Sequence, residues 1–298
     1  MTSPSPADHS PAGAAAARTF LVTGGNTGIG LATATALAQG GGRVFIGCRS
    51  AGAGEAAVAR IKAQTGSADV AALPLDLASL SSVRACAAAF LARGEPLHVL
   101  VNNAGIAGQR GLTADGFEPH FGVNHLGHFA LTQLLLPRLA ASGPGARVVN
   151  VSSDAHYSAP GVDFAALRRR TATLTGMREY SVSKLCNVLF TQELARRTAD
   201  SGVHCYALHP GVVASDIWRR LPRLARPFIT RRMLTTEQGA VTPVYCAAAA
   251  EVAADNGLYY ASCAVQAASP VATPELAALL WQHSAAWTEA AWTEAGQA

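Results

Sequence analysis

Short apolar runs alternate with longer helical patterns from residue 18 to about residue 210. The runs that predict strands, such as Thr19–Val22, Arg43–Cys48 and Arg147–Val151, are nearly continuous in apolar residues and do not alternate with polar ones. Continuous apolar strands separated by helices are typical of a parallel sheet covered on both faces. The pattern therefore predicts an α/β fold with a doubly wound parallel sheet of about seven strands.

The same pattern gives approximate bounds for the other elements. Helices are predicted over Ile29–Gln39, near Glu55–Gln64, and over Ser81–Arg93, Phe121–Leu139 and Tyr180–Arg197, with strands near Val70–Leu75 and over Val99–Asn102 and His204–Leu208. Pro137 is expected to disturb the helix that contains it, because proline lacks the backbone donor of a helix interior.

The composition is that of a globular protein. Half of the 298 residues are hydrophobic and only 14% are charged, which is too apolar for a disordered chain and sufficient for a sizeable core. Residues 1–17 are rich in Pro, Ser and Ala and lack the basic and apolar regions of a secretory signal. We therefore predict a disordered leader over 1–17 and one domain over 18–298.

Charge, hydropathy and cysteine spacing narrow the set of partners. A net charge of +4 is too small to indicate nucleic acid. No run approaches the ~20 apolar residues that cross a bilayer, so we predict no transmembrane anchor and a cytoplasmic location. The cysteines form no Cys-x-x-Cys pair, and His125 and His128 are not spaced as metal ligands. We predict no metal, and packing or surface roles for both histidines.

A glycine-rich segment, residues 23–30, joins the first strand to the first helix. Glycines let the backbone approach a pyrophosphate, and the helix N-terminus offers N–H groups to it. The spacing G-x-x-x-G-x-G is also compatible with an ordinary turn, but the strand before and the helix after favour a single Rossmann-type domain that binds a dinucleotide. The predicted contacts are Gly24, Asn26, Thr27, Gly28, Ile29 and Gly30.

Arg49 follows the second strand, where an acidic residue binds the ribose diol of NAD in dinucleotide-binding folds. An arginine at that position accommodates the 2′-phosphate of NADP instead. The next acid along the chain is Glu55. The sequence therefore predicts NADP(H) as the cofactor, with a solvated surface arginine as the alternative interpretation of Arg49.

Tyr180 and Lys184 are four residues apart on a predicted helix and so share one face. A phenol, with an ordinary pKa of about 10, is a poor base near neutrality unless a cation lowers that pKa. A lysine one turn away, together with the positive ring of oxidised nicotinamide, would lower it. The strand that ends at Ser152-Ser153 brings hydroxyls to the sheet edge where doubly wound folds build their sites; Ser152 is equally compatible with a simple turn. Asn124 interrupts a predicted helix and is expected to hold a water that links Lys184 to solvent.

These residues and several phrases in fixed order resemble the short-chain dehydrogenase/reductase family. The phrases are TGGNTGIG, FIGCRS, LDLASL, LVNNAGI, FGVNHLGHF, RVVNVSS, YSVSKLCNVLFTQELARR and HPGVV. The resemblance runs from about Thr19 to Val213 and more weakly to Glu289. Within the family, the chain is most similar to the retinol-dehydrogenase-like branch.

The resemblance implies specific roles. Asn124, Ser153, Tyr180 and Lys184 would be the catalytic four, with Ser153 and Tyr180 also contacting the substrate. Tyr180 would act as acid in reduction and as base in oxidation of a carbonyl or alcohol. Further cofactor contacts would come from Asp76 and Leu77 at the adenine, Asn103, Ala104 and Gly105 at the adenosine ribose, Tyr180 and Lys184 at the nicotinamide ribose, and Pro210, Gly211 and Val213 at the carboxamide. A homodimer or a homotetramer is compatible with the sequence.

The segment at about 215–237 mixes apolar residues with six arginines between Arg219 and Arg232. We predict that it forms a lid whose apolar side, including Trp218, covers a lipophilic substrate. Two other functions stay open at this point. One is a cofactor-binding regulator without turnover, and the other is a reductase of a carrier-bound or acidic intermediate held by the arginines.

Overall fold

A computed structural model describes residue 15, residues 17–213 and residues 233–294, with side chains up to residue 291. It contains one sheet of eight strands in the order β3-β2-β1-β4-β5-β6-β7-β8. All neighbouring strands are parallel except β7 and β8, which are antiparallel. The chain therefore has the predicted doubly wound α/β architecture, and the strand order changes direction between β1 and β4.

The bounds of the elements are as follows. The strands are β1 Thr19–Thr23, β2 Arg43–Cys48, β3 Val70–Pro74, β4 Val99–Asn102, β5 Ala146–Val151, β6 Val203–His209, β7 Leu258–Ala261 and β8 Ala264–Gln266. The helices are α1 Gly28–Gln39, α2 Ala51–Thr65, α3 Leu80–Leu91, α4 Pro119–Phe121, α5 Gly127–Ala141, α6 Met177–Arg197, α7 Thr236–Ala248 and α8 Pro274–Glu294, with a π-helical turn over Gly122–Leu126 between α4 and α5.

Burial explains why the central strands are apolar throughout. Every residue of β1, β4 and β5 is buried, because helices pack on both faces of the sheet and form two separate apolar clusters. The short strand β8 is exposed along its whole length. It is the strand beyond the predicted seven, and its pattern Ala-Val-Gln is too short to give a periodic signal.

The C-terminal helix α8 completes the core on one face. Trp281 lies 5.0 Å from Phe129, and Trp287 lies 5.4 Å from Phe117, between ring centroids. Both tryptophans join the larger apolar cluster. The helix therefore covers α5 and α6, which position the site described below.

The prediction that Pro137 disturbs its helix is wrong, because α5 continues through Pro137 to Ala141. Leu135 and Leu139, on either side of the proline, are fully buried. Burial of such side chains is worth about 1.5–3 kcal/mol each, which offsets the ~3 kcal/mol that proline costs in a helix.

Several predictions fall on parts of the chain that the structure does not describe. These are nearly all of the leader, the six arginines, Trp218 and most of the lid. Within the described residues, no helix is long and apolar enough to span a bilayer, and no cluster of His, Cys, Asp and Glu is arranged to hold a metal ion.

Candidate active site

The predicted site residues converge at the carboxyl ends of the parallel strands. Residues 23–30 follow β1, residues 103–105 follow β4, Ser153 follows β5 and Pro210 follows β6. Because these four strands are neighbours in the sheet, the segments lie along one edge. This edge is where open α/β sheets bind ligands.

The glycine-rich loop is packed too closely for larger side chains. Gly24 and Gly28 have φ angles of 65° and 56°, in the left-handed region that favours glycine. A Cβ on Gly30 would lie 2.4 Å from both the backbone oxygen of Gly24 and the side-chain nitrogen of Asn103. The loop therefore exposes backbone that no side chain covers at the start of α1.

The N-terminus of α1 differs from those of the next two helices. Ser50 caps α2 by accepting from the Ala53 N–H, and Ser79 caps α3 by accepting from the Ser82 N–H. At α1 the N-cap residue, Thr27, makes no capping hydrogen bond with its side chain. The N-terminus of α1 follows the glycine-rich loop, which is the arrangement that binds a pyrophosphate in dinucleotide-binding folds.

Two of the predicted contacts for the adenosine end, Arg49 and Asp76, follow the strands next to β1. Arg49 is exposed directly after β2, and β2 is tied to the loop because the Gly24 N–H donates to the Gly47 oxygen at 2.7 Å. Asp76 is half-buried after β3 and accepts from the Ala78 N–H. The structure therefore brings both residues to the same edge as the glycine loop.

Residues 103–105 form a wall next to the loop. The Thr23 hydroxyl accepts hydrogen bonds from the N–H groups of Asn103 and Ala104 at 2.9 and 3.0 Å. The Asn103 side-chain amide donates to the Thr23 backbone oxygen at 2.8 Å. A Cβ on Gly105 would lie 3.6 Å from Lys184 Nζ, so this wall reaches the catalytic helix.

Ser153, Tyr180 and Lys184 come together as predicted. Lys184 is buried, and its Nζ donates to the Val151 oxygen at 2.9 Å and lies 5.6 Å from the centroid of the Tyr180 ring. The Ser153 side chain is close enough to Tyr180 to lower the pKa of its phenol. The neighbouring Ser152 is buried and donates to the Lys184 backbone oxygen, so it fixes the helix rather than facing the cleft.

Burial shifts the pKa values of Tyr180 and Lys184 in opposite directions in the chain without cofactor. Burial raises the pKa of Tyr180, although Ser153 opposes that rise. Burial also lowers the pKa of Lys184 to about 8. The net pKa of the tyrosine is raised because desolvation of its phenol outweighs the interactions that favour the phenolate.

Asn124 lies in the π-helical turn and is fully buried. Its side-chain amide donates to the Ile106 oxygen at 3.1 Å and to the Ser183 hydroxyl at 2.9 Å, while its carbonyl accepts from the Ile106 N–H at 2.8 Å. Ser183 in turn donates to the Tyr180 backbone oxygen. Sequence reasoning missed Ser183, whose only signal was its place beside Lys184.

The segment after β6 closes the far side of the edge. Gly211 has a φ of 88°, and a Cβ there would lie 2.4 Å from the Leu234 side chain. Val213 is buried and pairs with Leu234 in an isolated bridge. The carboxamide loop predicted over Pro210–Val213 is therefore held against the residues that lead into α7.

Comparison with known proteins decides the family. The family model for short chain dehydrogenase matches residues 18–166. Retinol dehydrogenase 12 of Homo sapiens is 45% identical over 275 residues, which cover 90% of this chain and 85% of that protein. The chain belongs to the short-chain dehydrogenase/reductase family. Within it, the chain lies in the retinol-dehydrogenase-like branch.

A further relative and two solved structures are also similar to this chain. Dehydrogenase/reductase SDR family member 13 of Bos taurus is 44% identical over 274 residues, covering 90% of this chain and 72% of that protein. An uncharacterised protein of Mycobacterium paratuberculosis has a TM-score of 0.74 at 36% identity, covering 97% and 98% of the two chains. The NADP complex of Pseudomonas aeruginosa RhlG has a TM-score of 0.68 at 29% identity, covering 84% and 96%.

Proposed function

We propose that this short-chain dehydrogenase/reductase transfers a hydride between NADP(H) and a carbonyl or alcohol substrate, with Tyr180 as the acid–base group. The observation that carries the proposal is that Ser153, Tyr180 and Lys184 meet beside the glycine loop. A protein that only bound the cofactor would need the loop but no hydroxyl pair facing it.

The residues fit a nicotinamide dinucleotide. A pyrophosphate needs to come close to the backbone of the loop at residues 23–30. The loop allows this because Gly30 has no Cβ, which would otherwise lie 2.4 Å from the Gly24 oxygen. Arg49, exposed at the end of β2, is suited to a 2′-phosphate. The NADP complex of the related Pseudomonas aeruginosa protein supports the same choice. When bound, the nicotinamide supplies or accepts the hydride.

The side chains have complementary tasks at the substrate oxygen. Ser153 donates a hydrogen bond that orients this oxygen and stabilises the charge that develops on it. Tyr180 gives its proton to the oxygen in reduction and takes it back in oxidation. The raised pKa of Tyr180 keeps the phenol protonated near neutrality, which suits the reduction. Lys184, one turn away, supplies a cation that stabilises the phenolate after the proton has left.

Two exposed apolar side chains near Tyr180 and the names of the relatives support a lipophilic substrate. Met177 lies one helical turn before Tyr180 and is 40% exposed, and Leu174 nearby is 83% exposed. Relatives named retinol dehydrogenases act on a lipophilic alcohol or its aldehyde. We infer a lipophilic carbonyl or alcohol, with Trp218 and the lid segment contributing if they close as the sequence predicts. The cytoplasmic location and the homo-oligomer stay predictions.

The experiment is a rate comparison over a homologous series of aldehydes with NADPH and with NADH. Each added methylene that becomes buried contributes about 0.8 kcal/mol, so kcat/KM should rise about fourfold per carbon until the cleft is full. NADPH should exceed NADH throughout the series. A flat series would contradict the lipophilic class, and absence of turnover with every aldehyde and ketone would contradict the activity itself.

A further inference from the structure

Two fully buried histidines lie one turn apart at the junction of the π-helical turn and α5, and they have different surroundings. His125 contacts the Ser284 hydroxyl of α8 at 3.1 Å and packs among the aromatic rings of the core. His128 instead lies between β1 and Asn124. Sequence reasoning grouped the two residues together, but His128 faces Thr23 and Asn124, whereas His125 faces Ser284 and Asn187.

The hydrogen bonds of His128 determine which ring nitrogen carries the proton. Nδ1 lies 3.0 Å from the Asn124 backbone oxygen, and because a carbonyl oxygen only accepts, Nδ1 must donate. Burial lowers the pKa of His128 to about 4, so the ring is neutral at pH 7 and Nε2 is an acceptor. The Thr23 hydroxyl lies 2.8 Å from Nε2 and 3.4 Å from the Val101 oxygen, and it donates to Nε2 as the nearer acceptor.

This assignment leaves the Thr23 oxygen free to accept from the wall at residues 103–105. The N–H groups of Asn103 and Ala104 both donate to it. A single directed chain of hydrogen bonds thus runs from the wall, through the Thr23 hydroxyl and the imidazole of His128, to the Asn124 oxygen. Buried chains of this kind strengthen each bond along them.

Both ends of the chain lie next to residues of the predicted site. At one end lies the predicted cofactor wall. At the other, the Asn124 side chain binds Ser183, whose neighbour is Lys184. We propose that His128 is a positioning residue for the hydride-transfer reaction, fixing the Asn124 carbonyl and the cofactor wall relative to each other through one tautomer. This inference rests on the proposed function.

The first test compares His128→Leu with the matched control His125→Leu. Both substitutions replace a buried imidazole with leucine one helical turn apart. We therefore expect similar losses of stability, and a difference in kcat between the two variants reports on the site. We expect kcat of folded His128→Leu to fall at least tenfold, while kcat of His125→Leu stays within twofold of the parent. Equal kcat values for the two variants, with equal shifts in Tm, would overturn the proposal.

The second test uses Thr23, and so remains informative if His128→Leu does not fold. Thr23→Val removes the hydroxyl at nearly constant volume, whereas Thr23→Ser keeps it. We expect Thr23→Val to lower kcat and raise the NADPH Kd, and Thr23→Ser to restore both to within about twofold. Adding His128→Leu to Thr23→Val should change kcat by less than twofold, because the chain is already broken. Multiplicative effects would show that the two residues act separately.

A spectroscopic test separates this inference from the proposed function. In the ¹⁵N-labelled protein, long-range proton–nitrogen NMR correlations at pH 7 should show the His128 ring protonated at Nδ1 and bare at Nε2, with His128→Leu used for assignment. Protonation at Nε2 or at both nitrogens would overturn the inference whether or not the enzyme turns over. An inactive parent with the expected tautomer would count against the proposed activity only.

Discussion

The two halves of the strand edge hold their polar groups by different means. The cofactor half, comprising residues 23–30, Arg49 and residues 103–105, relies on backbone amides and on the absence of side chains at glycines. The catalytic half, comprising Ser153, Tyr180 and Lys184, places a half-buried phenol and a buried ammonium where desolvation shifts their pKa values. Close packing therefore determines which substitutions the cofactor half tolerates. In the catalytic half, the desolvation of ionisable groups determines this.

The difference has a consequence for substitutions. In the cofactor half a change of volume should weaken binding without altering protonation. In the catalytic half a change of one polar atom should alter the reaction with little effect on binding. The predictions below separate these outcomes, and each is paired with a control from elsewhere in the chain.

The largest effect is expected for Tyr180→Phe. The ring still packs, but the proton donor is lost, and general acid–base groups typically contribute 10²- to 10⁴-fold. We expect kcat to fall at least 100-fold while the NADPH Kd, measured by fluorescence titration, stays within about threefold. Tyr245→Phe, in α7, should retain full activity. Activity of Tyr180→Phe within tenfold of the parent would show that Tyr180 is not the acid.

The next largest effect is expected for Gly30→Ala. The added methyl would meet the Gly24 oxygen at 2.4 Å, and overpacking of this kind typically costs about 1–3 kcal/mol. We expect the NADPH Kd to rise about 10- to 100-fold. Gly52→Ala is the matched control, because a Cβ there meets nothing within 4 Å and alanine favours the helix. An unchanged NADPH Kd in Gly30→Ala would contradict the claim that the cofactor binds against closely packed backbone at this loop.

A smaller change is expected for Arg49→Asp. Removing a charge-assisted contact to the 2′-phosphate costs about 1.5–3 kcal/mol, and an aspartate favours the ribose diol of NAD. The ratio of kcat/KM for NADPH to that for NADH should fall at least tenfold or reverse. Arg43, which pairs with Glu95 at the opposite end of β2, provides the control substitution Arg43→Asp. An unaltered ratio in Arg49→Asp would remove Arg49 from the site.

The smallest effect concerns the stability of the chain without cofactor. Lys184→Met should abolish turnover but stabilise the fold by about 1–3 kcal/mol at pH 7, because the buried ammonium is costly. The Val151 oxygen that Lys184 binds would keep the Asn187 side-chain amide as a donor. Lys62→Met, at the exposed end of α2, should change stability by less than about 0.5 kcal/mol.

The pKa of Lys184 also predicts how the free energy of unfolding changes with pH. The pKa of Lys184 is about 8 in the folded chain and 10.5 ordinarily, so the unfolded chain binds more protons between these values. Stability of the parent should therefore rise with pH from about 8 to about 10.5. The advantage of Lys184→Met, measured by denaturant unfolding, should shrink over the same range. A constant difference between parent and variant would mean that Lys184 is not desolvated.

The place of the glycine loop in the fold could be predicted from the sequence. The segment at residues 23–30 is contiguous, and the preceding apolar strand and following helix fix where it lies. The alternation of apolar runs likewise predicted the parallel sheet, since continuous burial requires continuous apolar residues. Tyr180 and Lys184 could be paired because helical periodicity brings positions four apart together.

Only the tertiary structure decided the pKa shifts and the hydrogen-bond partners of the residues in the catalytic half. Whether Tyr180 has a raised or lowered pKa depends on burial and on the direction of the Lys184 ammonium, neither of which is encoded in their spacing. His125 and His128 are equivalent in sequence, yet one meets α8 and the other meets β1. These properties arise from contacts between residues far apart in the chain, and a local pattern cannot specify them.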